Sequence, residues 1–240
     1  MSGPSVSVRN SLLVALPPHS LASVMAKLTL VQLNMREELI RARGQISSAL
    51  FPQTGMVSLV APLADGTQAE VGLIGHEGML GISLLTDIDT SFCESVVQRP
   101  GTALRMSASE FRAEAAANAP FRTVLLRYYE ALHAQSMQTA ACNGRHGLVQ
   151  RLSRWLLMAH DRAETPELPL TQEFLSMMLG VRRPSVTVTA GILQRTGSIK
   201  YSSGMVTILD RVALEASSCE CYRVVKTRFG KLLEPLPAHR

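Results

Sequence analysis

Long hydrophobic runs are what this chain most plainly lacks. Hydrophobic residues fill 46% of its 240 positions, yet no apolar stretch approaches the roughly 18–20 residues a membrane helix needs. Residues Met1 to Asn10 carry one Arg and no apolar block, which does not read as a secretory signal. A cytoplasmic chain without membrane contact is expected. Cysteine is scarce as well. Cys93, Cys142, Cys219 and Cys221 are too few and too scattered for a disulfide framework. Cys219-Glu-Cys221 is the one close pair, and it lacks the second pair or the His that a zinc site needs. It reads as surface or core thiols, with redox sensing as the minority reading. The six histidines (19, 76, 133, 146, 160 and 239) show no metal-ligand spacing, so no metal site and no cofactor is expected. No Ser-His-Asp set or phosphate-cradling Gly-rich loop stands out, and the chain is not expected to be an enzyme.

Positive charge is missing from one long segment. Between Gly44 and Gln98 there is no Lys or Arg, against six acids: Asp65, Glu70, Glu77, Asp87, Asp89 and Glu94. From Arg145 to Arg240 fourteen Lys or Arg stand against eight acids. One part of the chain repels polyanions and the other attracts them, which points to two domains with two tasks.

The patterning agrees with that division. Residues 11 to 28 read as short helices broken at Pro17-Pro18, with Ser20 as a cap for Leu21 to Leu28. From Val31 to Met106, short apolar segments such as Val57–Val60, Glu70–Ile74 and Ser95–Val97 alternate with turn residues, Asp65-Gly66 being a hairpin signal. A small β-roll follows from this. Ala108 to Asn118 reads as a short helix. Phe121 to about Cys142 reads as a long one, stopped by Asn143-Gly144. Its stripe of Phe121, Val124, Leu125, Tyr128, Ala131 and Leu132 suits pairing with a second copy, or else packing within its own domain. Gly147 to Asp161 is a further amphipathic helix with Trp155 as a core anchor.

The segment from Leu168 to Leu193 points most directly to function. Thr171 suits an N-cap with Glu173 in the first turn. Phe174, Leu175, Met178 and Leu179 form one apolar stripe, and Gly180 sits where a left-handed residue would end the helix. A second helix starts near Arg182 with Pro184 in its first turn, and Val186, Ala190 and Leu193 give it a buried face. The segments Gly197–Tyr201 and Met205–Leu209, joined through Ser202-Ser203-Gly204, read as a β-hairpin. Together they describe a helix-turn-helix with a wing, expected to bind double-stranded DNA. Pro184, Val188, Gly191 and Arg195 lie opposite Val186, flanked by Arg183, Thr187 and Gln194. Arg183 is a candidate for guanine, and Thr187 and Val188 for a thymine methyl group. Arg182, read as nearer the buried side, is a candidate phosphate contact, Thr171 and Gln172 offer donors to the backbone, and Ser185 and Arg195 are further DNA-binding candidates. The basic tail after Leu214 (Arg223, Lys226, Arg228, Lys231) reads chiefly as a solvated face.

The order of β-roll, long helix and winged helix, with the strings FPQTGMVSLV, ADGTQAEVGLIGHEGMLG, RLSRWLLMAHDR and LPLTQEFLSMMLGVRRPSVTVTAGILQRTGSI, resembles the cyclic-AMP receptor protein and fumarate–nitrate regulator (CRP/FNR) superfamily from about Leu12 to Leu214. That resemblance implies an α+β chain with a cyclic-nucleotide-binding-like sensor over residues 1–118, a dimerisation helix over 119–144, a winged helix-turn-helix over 145–214 and a tail over 215–240. It implies a homodimer on a palindromic operator, with RNA polymerase as a further partner, and base readers at Arg183, Pro184 and Val188. Cyclic-nucleotide members hold the phosphate with a Gly-Glu pair and an Arg-Ser pair. Here Gly75-His76-Glu77-Gly78 displaces the glutamate by one, and the Arg-Ser place reads Ser91-Phe92. These four residues are the candidate effector-pocket positions, but cyclic AMP is not the expected effector. The iron–sulfur members' N-terminal cysteine group is missing too. The rival readings are a ligand-binding β-roll module without DNA binding and a β-roll enzyme.

Overall fold

The computed structural model describes residues 7–163 and 165–231; the end of the basic tail lies outside the described residues. Helices α1 (Ser11–Val14) and α2 (Pro18–Met25) come first. Asn10 caps α1 by accepting from the N–H groups of Leu12 and Leu13. Ser20 does not cap α2 as expected. Pro18 already occupies the first turn, where its missing N–H costs nothing, so Ser20 falls inside the helix. There it is buried and donates to Asn118 Oδ1 at 2.6 Å.

Seven strands then build the roll: β1 (Thr29–Leu33), β2 (Glu38–Ile40), β3 (Ser48–Pro52), β4 (Met56–Pro62), β5 (Gln68–Ile74), β6 (Glu94–Arg99) and β7 (Gly101–Ser107). They form two antiparallel sheets, ordered β1-β7-β3 and β2-β6-β4-β5. Inward-facing Phe51, Val57, Ile74, Val97 and Leu104 fill the space between the sheets, as alternating strands require. Asp65-Gly66 turns the β4–β5 hairpin, with Asp65 accepting from the Thr67 N–H and hydroxyl and Gly66 at φ 81°.

Helix α3 (Ala108–Ala117) starts in a capping box of Ser107 and Glu110. Helix α4 (Ala119–Arg145) runs 27 residues, about 40 Å. It passes through Asn143-Gly144 instead of stopping there. Gly144 keeps a negative φ, and the His146 N–H closes the last turn on the Cys142 carbonyl at 2.9 Å. The stripe of Phe121, Val124, Leu125, Tyr128 and Ala131 is buried in the roll's own core. The face of α4 that carries Leu126, Tyr129 and Met137 is the one left open.

The second half contains α5 (Leu148–Ala163), β8 (Glu167–Pro169), α6 (Gln172–Leu179), α7 (Arg183–Arg195), β9 (Ile199–Ser202), β10 (Met205–Ile208), α8 (Arg211–Ser217) and α9 (Cys221–Gly230). Its core gathers Leu156, Leu175, Leu179, Val186, Leu193, Ile199 and Leu214 around Trp155. Met56, Val60 and Leu73 of the roll join this core, so the two halves meet across a packed apolar junction. Helix α9 returns to lie on α4 and α5, its Phe229 ring 6.4 Å from that of Tyr128.

Candidate nucleic-acid interface

The two short helices form as their caps dictate. Thr171 Oγ1 accepts from the Phe174 N–H at 3.1 Å, which satisfies one free donor at the start of α6. Gly180 ends that helix in the left-handed region at φ 62°, a conformation that costs glycine little. Helix α7 then buries Val186, Thr189, Ala190 and Leu193. Its outer face is open: Arg183, Pro184, Ser185, Thr187, Val188 and Arg195 are all exposed. Val188 is 65% exposed. That exposure leaves a branched apolar side chain in solvent on the open face that also carries Arg183 and Arg195.

Arg182 is not on the buried side. It stands before the helix as N-cap residue in extended conformation, with its side chain in solvent, because Gly180 and Val181 turn the chain before α7 starts. Arg183 Nε donates to Gln172 Oε1 at 3.2 Å, joining the N-terminal ends of the two helices. Gln194 is committed to the fold, its Oε1 accepting from the Tyr201 N–H at 2.9 Å. That bond ties the end of α7 to the wing. The wing turns at Ser203 and Gly204, both with positive φ, as a two-residue hairpin of the primed type requires. Strand β8, not foreseen from sequence, completes a three-stranded wing sheet ordered β8-β10-β9.

The description Crp-like helix-turn-helix domain matches residues 150–217. That segment spans nearly all of α5 through α8 and includes both short helices and the wing. Beyond it, the chain shares its fold with CRP/FNR-type regulators. FixK2 from Bradyrhizobium japonicum is similar with a TM-score of 0.69 at 15% identity, over 80% of this chain and 98% of that one. A CRP/FNR-family transcriptional regulator from Eubacterium rectale gives 0.67 at 18% identity, over 86% and 96%. The c-di-GMP-responsive regulator CLP of Xanthomonas campestris gives 0.66 at 15% identity, over 80% and 99%. No curated protein matches the sequence. The α+β architecture of β-rich half, long helices and winged helix is therefore that of the CRP/FNR fold, and among the described residues no helix is long and apolar enough to cross a membrane.

The Gly75–Gly78 loop faces the helix-turn-helix half. Glu77 Oε1 accepts from Arg162 of α5 at 2.8 Å, and the Gly75 N–H donates to the same oxygen at 3.2 Å. A side chain on Gly78 would come within 2.7 Å of the Tyr128 ring. His76 borders a cleft of about 250 Å³ shared with Tyr222 and Phe229 of α9. Inside the roll, a cleft of about 150 Å³ is lined instead by Ile40, Ile74, Met79, Leu80, Ile82 and Leu132, among others, and none of its lining residues carries a charge.

Two features escaped the sequence reading. Glu70 is buried at the junction, accepting from Trp155 Nε1 at 2.5 Å and Ser58 Oγ at 2.6 Å. Burial pushes its carboxyl up to about 7, partly opposed by those hydrogen bonds and by the charges of Arg154 and Arg162. The expectation that Cys219 and Cys221 stand without companion ligands, and that no histidine sits at metal-ligand spacing, is also not met. The return of α9 onto α4 brings both cysteines against Cys142 and His146. The i, i+4 spacing of Cys142 and His146, one face of a helix, was the available signal.

Proposed function

We propose that this CRP/FNR-type helix-turn-helix regulator acts as a homodimer that reads a palindromic operator through α7 without cyclic AMP. The open α7 face, where Val188 projects between Arg183 and Arg195 beside an ordered wing, is the observation that carries this reading. Arg182, Ser185, Thr171 and Gln172 surround that face at the height of the phosphates. Arg183, Pro184, Thr187 and Val188 take the base edges.

Dimerisation is supported by the outer face of α4. Leu126, Tyr129 and Met137, 49%, 48% and 52% exposed, follow one another along it at spacings that fall on one side of a helix. Phe92, 82% exposed, is a further open apolar side chain on the roll, where it helps to line the inner cleft. A second copy would cover both. Against a cyclic nucleotide stand the size and chemistry of that cleft. At about 150 Å³ it falls below the roughly 300 Å³ of common ligand pockets, and it offers a phosphodiester no cation. The domain limits follow the proposed tasks: 1–118 sensor roll, 119–144 dimer helix, 145–214 DNA-binding unit and 215–240 tail, in a cytoplasmic protein with RNA polymerase as a further partner.

The test is selection of binding sites from random duplex DNA by effector-free protein, followed by affinity at two salt concentrations. Enrichment of a palindrome with half-sites about one helical turn apart, and affinity falling steeply with salt, is expected. No enrichment, alone and in cell extract, would overturn the reading.

A further inference from the structure

Four metal-ligating side chains from distant parts of the sequence meet where α4 ends. Cys142 lies in the last turn of α4 and His146 caps it. Cys219 lies in the short link from α8 to α9 and Cys221 opens α9, on either side of Glu220. Their ligand atoms all lie within 4.8 Å of one another. Cys142 Sγ is 3.5 Å from Cys219 Sγ, and Cys221 Sγ is 3.5 Å from His146 Nδ1. The three sulfurs are buried and the imidazole is half-buried. A tetrahedral zinc ion with Zn–S near 2.3 Å and Zn–N near 2.0–2.1 Å sets its ligands about 3.6–3.8 Å apart. The Cys142–Cys219 and Cys221–His146 pairs, at 3.5 Å, already stand near that figure, and drawing the others in from at most 4.8 Å closes them by up to about 1 Å. A polynuclear cluster would need them farther apart.

The surroundings are those of a metal centre. His146 turns Nε2 toward Glu220 Oε1 at 3.4 Å, the carboxylate–histidine arrangement that leaves Nδ1 free as ligand. Gln138 Nε2 donates to Cys221 Sγ at 3.0 Å, a contact that favours an anionic sulfur. Arg154 is buried nearby and acts electrostatically on Cys142. Its Nη1 reaches Thr139 Oγ1 at 3.2 Å, but its Nε is the buried side-chain nitrogen without a hydrogen-bond partner among the described residues. A zinc ion with three thiolates and one neutral imidazole carries one net negative charge. Such a centre supplies the counter-charge that a buried guanidinium needs.

We propose that Cys142, His146, Cys219 and Cys221 bind a single zinc ion that fastens the α8–α9 link to the end of α4. On binding, each of the three thiols forms a bond to zinc and releases its proton to solvent. The imidazole donates a lone pair, and no oxidation state changes. The ion closes the DNA-binding half onto the long helix at a second point, besides the chain connection at Gly147.

The full-length chain, purified in reducing buffer without chelator, should contain one zinc per chain by mass spectrometry of the metal. After exchange with cobalt(II) it should show intense sulfur-to-cobalt bands and tetrahedral ligand-field bands. The double variant Cys219→Ser/Cys221→Ser should fall to background zinc. His146→Cys should keep the ion and strengthen the charge-transfer bands, which a merely structural role of His146 would not produce. Folded wild-type protein with neither zinc nor cobalt bands would overturn the proposal. So would a Cys142–Cys219 disulfide found after thiol blocking, or iron in place of zinc.

Discussion

Glu70 makes the junction between the two halves sensitive to pH. Its carboxyl is buried, with Ser58 and Trp155 as hydrogen-bond partners and Arg154 and Arg162 of α5 as the nearby charges, and it titrates at about 7 against an ordinary 4.5. An acid whose folded value lies above its unfolded one is unstrained where both states are protonated, below about 4.5. Its penalty grows as pH rises to about 7 and is constant above. The full shift corresponds to about 3 kcal/mol, of which roughly 2.5 kcal/mol falls between pH 5 and pH 8. Glu70→Gln keeps the shape and both hydrogen bonds, since the amide oxygen accepts from Trp155 and its NH₂ donates to Ser58. Urea unfolding of wild type and variant at both pH values isolates the group, because every other titration is common to the two. Wild type should lose about 2–3 kcal/mol more than the variant between pH 5 and 8. Parallel pH profiles would refute the account.

Other consequences are simpler to read. Arg183→Ala should weaken binding at one operator position by about 1–3 kcal/mol, checked by affinity for single-base operator variants; a uniform loss would place Arg183 on the backbone. Gly78→Ala drives a methyl group toward the buried Tyr128 ring and should cost about 1–3 kcal/mol, whereas Gly144→Ala, helical and with open space around it, should stabilise by about 0.5–1 kcal/mol. Thermal unfolding compares the two. Arg162→Ala leaves Glu77 without its ion-pair partner and should destabilise by about 3–5 kcal/mol, with Glu77→Gln in the same background restoring part of it.

Periodicity and punctuation made the helix-turn-helix half legible. The stripe of Leu175, Met178 and Leu179, Gly180 at the turn, Pro184 in the first turn of α7 and the Ser203-Gly204 reversal each act within a few residues, so sequence reports them directly. What it concealed depends on contacts between distant residues. The stretch from Gly44 to Gln98 has no Lys or Arg of its own, so the partners of its acids come from elsewhere in the chain: Arg162 reaches Glu77 and Arg112 lies 3.5 Å from Asp87. The strand β8 is three residues long, too short for an alternating pattern to declare itself. The buried stripe of α4 was evident, but only the three-dimensional core shows that it faces inward and that Leu126, Tyr129 and Met137 are left outside. Cys142 and His146 met Cys219 and Cys221 only because α9 folds back.

That return has a mechanical meaning. The helix-turn-helix half leaves α4 at Gly147, and its last helix comes back to lie along α4 and α5. Trp155 and Arg162 add hydrogen bonds to Glu70 and Glu77 of the roll, and Met56, Val60 and Leu73 pack into its core. A half held along so broad a seam cannot pivot on one loop, so any movement that re-aims α7 has to slide or break several of these contacts together.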